Sequence, residues 1–207
     1  MFVACATSTA SAQAVKGDIK AGEGKVAMCV GCHGIQGYQA SFPEVHKVPM
    51  ISGQSAAYMA AALEAYRKGE RHHPTMRAIA EPLSEQDIAD IAVYYEAHNP
   101  VRKAVQPHDP PAQVAALIEK GACFSCHGAN FGQPIDASYP KVAGQHADYL
   151  FVALKAYKTA GNPRVGRSNG IMAPIAQQFS NQELKQLANY ISQLDSELQT
   201  IPQANFR

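Results

Sequence analysis

Charge is scarce in this chain. Lysine and arginine total 18 and aspartate and glutamate 17, for a formal net charge of +1. There is no basic block and no array of aromatics interleaved with cations, so the footprint of a nucleic-acid binder is missing. No apolar run approaches the ~20 residues of a membrane-spanning helix. No stretch alternates apolar and polar residues in the manner of a half-buried strand. Cysteine is also sparse. Of the five present, four fall into two pairs, and those pairs carry the chemistry.

The pairs are Cys29-Val30-Gly31-Cys32-His33 and Cys123-Phe124-Ser125-Cys126-His127. Each is a Cys-x-x-Cys-His run, the pattern for covalent attachment of a c-type haem. On a helix the two cysteines and the histidine fall at i, i+3 and i+4, on one face of one turn. The thiols then reach the two haem vinyl groups, and the imidazole reaches the iron. A structural zinc site built from the same four cysteines would have to join two distant halves, and it leaves both histidines unexplained. A thioredoxin-like dithiol needs a strand before the motif and a βαβ setting, and neither is visible.

The chain repeats itself. Cys29 matches Cys123. Pro49, Gly53-Gln54, Tyr58 and Tyr66 match Pro140, Gly144-Gln145, Tyr149 and Tyr157, and Met76, Ser84 and Tyr94 match Met172, Ser180 and Tyr190. The two motifs therefore mark two homologous domains, expected at residues 15–99 and 112–207. A proline-rich linker, 100–111, is expected to be stiff and extended. Residues 16–100 carry a net charge of −2 and residues 101–207 a net of +3. Such a dipole can orient the molecule towards charged partners. Each unit reads as helical. A helix is expected over Ala56–Lys68, and another opens at the cap Ser84 with Ile88, Ile91, Ala92 and Tyr95 on its apolar face. Its counterpart opens at Ser180, with Leu184, Leu187, Ala188 and Ile191. The expected fold class is all-α: two small helical bundles, each around a haem.

A haem held by one histidine has a sixth position to fill. Met76 and Met172 are the candidates, 43 and 45 residues beyond their histidines and equivalent in the repeat. A thioether is a soft ligand that favours ferrous iron and raises the reduction potential. The competing reading makes them core fillers, and His72 or His73 is an alternative ligand in the first unit. The carbonyls of Pro49 and Pro140 are candidates to accept from the second ring nitrogen of each histidine. Alternatively these prolines only shape their loops.

Residues 1–14 carry no charge and end in Ala12-Gln13-Ala14, a small-x-small cleavage pattern. They read as the remnant of a secretory leader, with Val15 as first mature residue. The rival reading lipidates Cys5 in a weak lipoprotein box. Both expectations place the mature protein in the periplasm, with membrane association through lipid in the second case.

The haem motif, the Pro-x-aliphatic-x-Gly-Gln-x-x-x-Tyr frame, the later methionine and the closing helix together resemble class I cytochromes c. Their duplication resembles the dihaem cytochromes of the c4 type over nearly the whole mature chain. That resemblance implies two covalently attached c-type haems and His33/Met76 and His127/Met172 as axial pairs. It also implies Pro49 and Pro140 as carbonyl partners, Ile51 and Val142 as haem-packing residues, and haem propionates facing the domain interface. The chain departs from the family pattern in the loop Tyr38 to Val48 and in a basic loop from Lys158 to Arg167.

The function expected is periplasmic electron transfer without substrate chemistry. Electrons would come from a quinol–cytochrome c oxidoreductase or a periplasmic dehydrogenase and leave to a haem–copper terminal oxidase or another reductase. The alternatives are a dihaem subunit of a larger dehydrogenase, such as one acting on thiosulfate or an alcohol, and a dihaem peroxidase-like enzyme. Arg67, Lys68, Arg71, Lys155, Lys158, Arg164 and Arg167 are the candidate docking cations.

Overall fold

A computed structural model describes residues 15–98 and 109–202. The expected leader, Cys5 and most of the proline-rich linker lie outside the described residues.

The first unit runs α1 (Ile19–Lys25), α2 (Ala27–His33), β1 (Gln39–Ala40), β2 (His46–Lys47), α3 (Ala56–Arg67), β3 (Arg71–His72), α4 (Pro74–Ala80) and α5 (Glu85–Ala97). The second runs α6 (Ala112–Lys120), α7 (Phe124–His127), α8 (Ala147–Ala156), β4 (Gly166–Arg167), α9 (Met172–Gln177) and α10 (Asn181–Ser192). The strands are two residues each, too short to show a period of two in the sequence. Both closing helices start with a capping box: Ser84 with Asp87, and Ser180 with Glu183. Their expected apolar faces are buried, including Ile91 and Ala92 in the first unit and Leu184 and Ala188 in the second.

Each unit has its own core. Val26, Val30, Leu63 and Ile91 anchor one, and Leu117, Phe131, Leu184 and Leu187 the other. Helix α1 lies directly on α5. A Cβ at Gly22 would stand 2.2 Å from the Asp90 carbonyl oxygen, so only glycine permits that approach. Asp90, with 2% of its side chain exposed, ties the contact down. It accepts from the Asp18 amide at 2.7 Å, Lys25 Nζ at 2.6 Å and Gln86 Nε2 at 2.8 Å. The Lys25 ammonium, the Asp18 amide and Gln86 outweigh burial and hold its carboxyl below the ordinary value of 3.8. Its stabilising contribution is therefore present above pH 3.8 and is lost as pH falls through the lowered value. Asp90→Asn is expected to cost about 1–3 kcal/mol, the scale of hydrogen bonds to a charged group. Urea unfolding at pH 7 checks this, and the difference from the parent should shrink in acid.

The two units face each other about an approximate twofold axis. Strand β3 pairs antiparallel with β4, and the Cα partners Arg71 and Arg167 are repeat equivalents. The Ser168 amide donates to the Glu70 carbonyl at 2.7 Å, and His72 Nδ1 donates to the Asn162 carbonyl at 2.5 Å. Lys155 pairs with Glu44 across the same seam, and Arg164 lies over the Phe42 ring. The two loops that depart from the family pattern are thus joined to each other.

Candidate haem-binding sites

Helix α2 carries Cys29, Cys32 and His33 on its last turns, and Cys123 caps α7, which carries Cys126 and His127. Cys29, Cys32, Cys123 and Cys126 form no disulfide. Burial pushes the Cys29 thiol up to about 11 and raises Cys123 as well. Neither has the depressed pKa of a reactive dithiol. The two pairs serve different cavities, so they cannot converge on one zinc ion.

The first cavity brings together Cys32, His33, Pro49 and Met76. Cys29 and Ile51 are not part of its lining and pack against the core of that unit. The second is lined by Cys123, Cys126, His127, Pro140, Val142 and Met172, with a largely apolar wall that includes Phe131, Leu150 and Phe179. His33 Nδ1 donates to the Pro49 carbonyl at 2.9 Å, and His127 Nδ1 donates to the Pro140 carbonyl at 3.1 Å. Burial lowers the pKa of both imidazoles, and the two carbonyls only partly oppose it. Both rings are therefore neutral at pH 7, with Nδ1 committed to a carbonyl and Nε2 left as the nitrogen that could hold a metal.

Each methionine is held by a cap at position i−3. The Met76 amide donates to His73 Nδ1 at 3.3 Å, and the Met172 amide donates to Asn169 Oδ1 at 2.8 Å. Sequence reasoning missed both caps. His73 and Asn169 occupy equivalent positions, but nothing in their identity shows that they do the same work. His72 and His73, the alternative ligands, line the first cavity beside Met76, and the Nδ1 of each is already engaged.

The second unit also holds Phe131 in the left-handed region, at φ 57°, where the first has Gly37 at φ 74°. Phe131 is 1% exposed, stacks on His127 at 6.4 Å, and its carbonyl accepts from Val142 and Ala143. Burial and those two bonds hold a conformation that a bulky residue seldom adopts.

The docking cations need correction. Arg71 and Arg167 are not surface groups. Both line both cavities, at the wall where the units meet. Arg71 donates to the Tyr58 hydroxyl at 2.7 Å and stacks on Tyr58 and Tyr66. Arg167 donates to the Tyr149 hydroxyl at 3.1 Å and stacks on Tyr149 and Tyr157. Arg67 is tied to Glu64 and the Leu83 carbonyl, Lys155 to Glu44, and Lys158 to the Phe179 carbonyl. Only Lys68 and Arg164 of the seven are exposed.

The donor chemistry and the charge both fit haem. A thiol, a neutral imidazole and a thioether line the first cavity, and two thiols, a neutral imidazole and a thioether line the second. No ion pair to a carboxylate forms at Arg71 or Arg167 among the described residues, so two half-buried cations face each other uncompensated. Their field opposes burial at all four tyrosines, outweighing it at Tyr149 and Tyr157 but not at Tyr58 and Tyr66. The carboxylates of two haems would supply the missing charge.

The family model for cytochrome c matches residues 19–97 and 111–195. Cytochrome c4 of Thiocapsa roseopersicina is 32% identical over 195 residues, covering 86% of this chain and 93% of that one. The thiosulfate dehydrogenase electron acceptor of Stutzerimonas stutzeri strain A1501 is 31% identical over 173 residues, covering 79% and 77%. The crystal structure of reduced cytochrome c4 from Pseudomonas stutzeri superimposes with a TM-score of 0.60 at 29% identity, covering 86% of this chain and all of that chain. Two tandem cytochrome c domains, each binding a covalently attached c-type haem, account for both cavities. This chain belongs to the cytochrome c family, as a dihaem electron-transfer protein of the c4 type.

Proposed function

We propose that His33 with Met76 and His127 with Met172 are the axial pairs of two closed haem sites. The protein then carries electrons between a quinol–cytochrome c oxidoreductase or periplasmic dehydrogenase and a haem–copper terminal oxidase or another reductase. The observation that carries this reading is the matched geometry of the two cavities. Each brings one neutral, carbonyl-anchored histidine and one amide-pinned methionine to the same space. When bound, each haem supplies a one-electron ferric–ferrous couple, which a histidine–methionine pair tunes to high potential. The cysteines would hold the group covalently, and Ile51 and Val142 would pack on it. Arg71 and Arg167, which line both cavities, would pair with its carboxylates. Phe131, Leu150 and Phe179 keep water from the second site.

Docking falls to apolar rims rather than to the arginines. Met28 and Ile35 are exposed beside the first motif, and Phe124, Ile135 and Ile171 beside the second. The Ile135 amide donates to the Cys126 carbonyl at 3.0 Å, which places that residue at the motif itself. A second reading, as the partner of a thiosulfate dehydrogenase, draws on the relatives that carry that name. The expected location is the periplasm. No helix among the described residues is long and apolar enough to cross a membrane.

Rapid mixing of the reduced holoprotein with a haem–copper oxidase and, separately, of the oxidised holoprotein with thiosulfate dehydrogenase and thiosulfate tests the proposal. A free carrier reacts in second-order fashion with the oxidase and elutes alone on gel filtration. Co-elution with the dehydrogenase and no reaction with the oxidase would favour the subunit reading.

A further inference from the structure

Gln54 and Gln145, a repeated pair of buried polar residues, are left unused by the haem sites, each 4% exposed. Each clasps the backbone of one residue in the opposite unit. Gln145 Oε1 accepts from the Met50 amide at 3.0 Å, and its Nε2 donates to the Met50 carbonyl at 2.9 Å. Gln54 Oε1 accepts from the Lys141 amide at 3.0 Å, and its Nε2 donates to the Lys141 carbonyl at 2.9 Å. Gly53 and Gly144 stand beside them at φ 85° and 67°, and their amides donate to Tyr95 and Ile191 at the ends of the closing helices. Each glutamine is thus anchored in its own unit and reaches into the other.

The clasped residues directly follow the prolines that hold the histidines. The Met50 amide and the Pro49 carbonyl belong to one peptide group, and so do the Lys141 amide and the Pro140 carbonyl. A trans peptide is planar, with its C=O and N–H pointing in opposite directions. Gln145 therefore grips one edge of the plane whose other edge accepts from His33, and Gln54 does the same for His127.

We propose that each glutamine is a positioning residue for the histidine of the other unit: Gln145 sets His33, and Gln54 sets His127, each through a single shared peptide plane. Two effects run through that plane. The clasp stops the peptide from rotating, which fixes the direction of the carbonyl. It also polarises the peptide, because an N–H engaged by an acceptor leaves more negative charge on its carbonyl oxygen. The bond from Nδ1 to that oxygen strengthens, and the imidazole becomes the more basic ligand. A more basic ligand favours ferric iron, so each clasp lowers the potential of the haem in the opposite unit. Docking of the two units and their redox poise are then linked. The inference rests on His33 and His127 being the iron ligands.

The test uses the exported holoprotein and the variants Gln145→Leu and Gln54→Leu. A redox titration followed by NMR resolves the two haems through their axial methionine methyl signals. With Gln145→Leu, the reduction equilibrium of the first unit should shift towards ferrous by about three- to tenfold, less than the roughly 10–100-fold that direct outer-shell partners exert on metal affinity, because the glutamine acts one bond further out. Tenfold is 59 mV for one electron. The second unit should move less than about twofold, and solvent exchange of the His33 Nδ1 proton should quicken. Gln54→Leu should give the mirror result. A first unit that stays put in Gln145→Leu, or two units that move equally, overturns the proposal. Gln145→Met, uncharged and close to glutamine in volume, removes both bonds to Met50 and carries the test if leucine unseats the domains. A rise confined to the first unit's potential supports the clasp, and no rise overturns it. Histidine–methionine signals in the parent test the ligand assignment separately, so its failure is distinguishable from that of the clasp.

Discussion

Met172→Ala is expected to turn the second haem site from closed to open. The ferrous variant should bind carbon monoxide where the parent does not, and the red methionine-to-ferric charge-transfer band should fall to half. The potential of that site should drop by a tenth to a few tenths of a volt, within the ~0.8 V range that axial ligation spans. The reason lies in what surrounds Met172. Its amide is pinned by Asn169, so the side chain starts from a fixed turn. Among the described residues no histidine besides His127 lines that cavity, so no second imidazole is at hand to replace a lost thioether. The first cavity differs. His46, His72 and His73 all line it with Met76. Met76→Ala should therefore bind carbon monoxide less completely than Met172→Ala. Adding His73→Ala should close part of that gap. Carbon monoxide difference spectra of the three variants read this directly. Equal binding by parent and Met172→Ala would remove Met172 from the ligand set.

Loss of attachment should have the larger effect on stability. Cys123→Ala with Cys126→Ala leaves one covalent haem per chain, which intact-mass measurement shows. The second cavity, about 180 Å³, is walled by Phe131, Leu150, Phe179 and Leu187. At about 24 cal/mol per Å³ of residual cavity, leaving it empty costs roughly 4 kcal/mol. That is a large share of the ~5–15 kcal/mol that stabilises a domain. The second unit should melt well before the first, whose core around Val26, Leu63 and Ile91 is separate. Hydrogen exchange resolved by unit should show α10 losing protection while α5 keeps most of its own. Equal protection of the two helices would mean that the second core does not depend on its haem.

The parts of this molecule that were legible in the sequence are those whose determinants are local. A Cys-x-x-Cys-His run states its chemistry within five residues. Capping boxes at Ser84 and Ser180 need only four, and the apolar faces behind them follow the helical period. Internal repetition singled out Met76 and Met172 from six methionines, because only they recur at equivalent places. What the sequence hid depends on the second unit being docked. Gln54 and Gln145 were visible as a repeated residue, but their bonds run to residues 87 and 95 positions away. Arg71 and Arg167 read as surface cations because composition cannot distinguish an arginine that faces water from one that faces another arginine across a twofold axis. Strands β3 and β4 are single two-residue pairings between domains, and no periodicity announces them. His46 gave no sign of being buried against Tyr149.

The central claim is that both irons are closed by a histidine–methionine pair. A visible spectrum and redox titration of the exported holoprotein, repeated under carbon monoxide, tests it most directly. The account predicts two covalent haems per chain, a red charge-transfer band of two-site intensity, two one-electron waves and no carbon monoxide adduct. A parent protein that binds carbon monoxide readily or lacks the band would contradict it, and would bring the peroxidase-like reading forward.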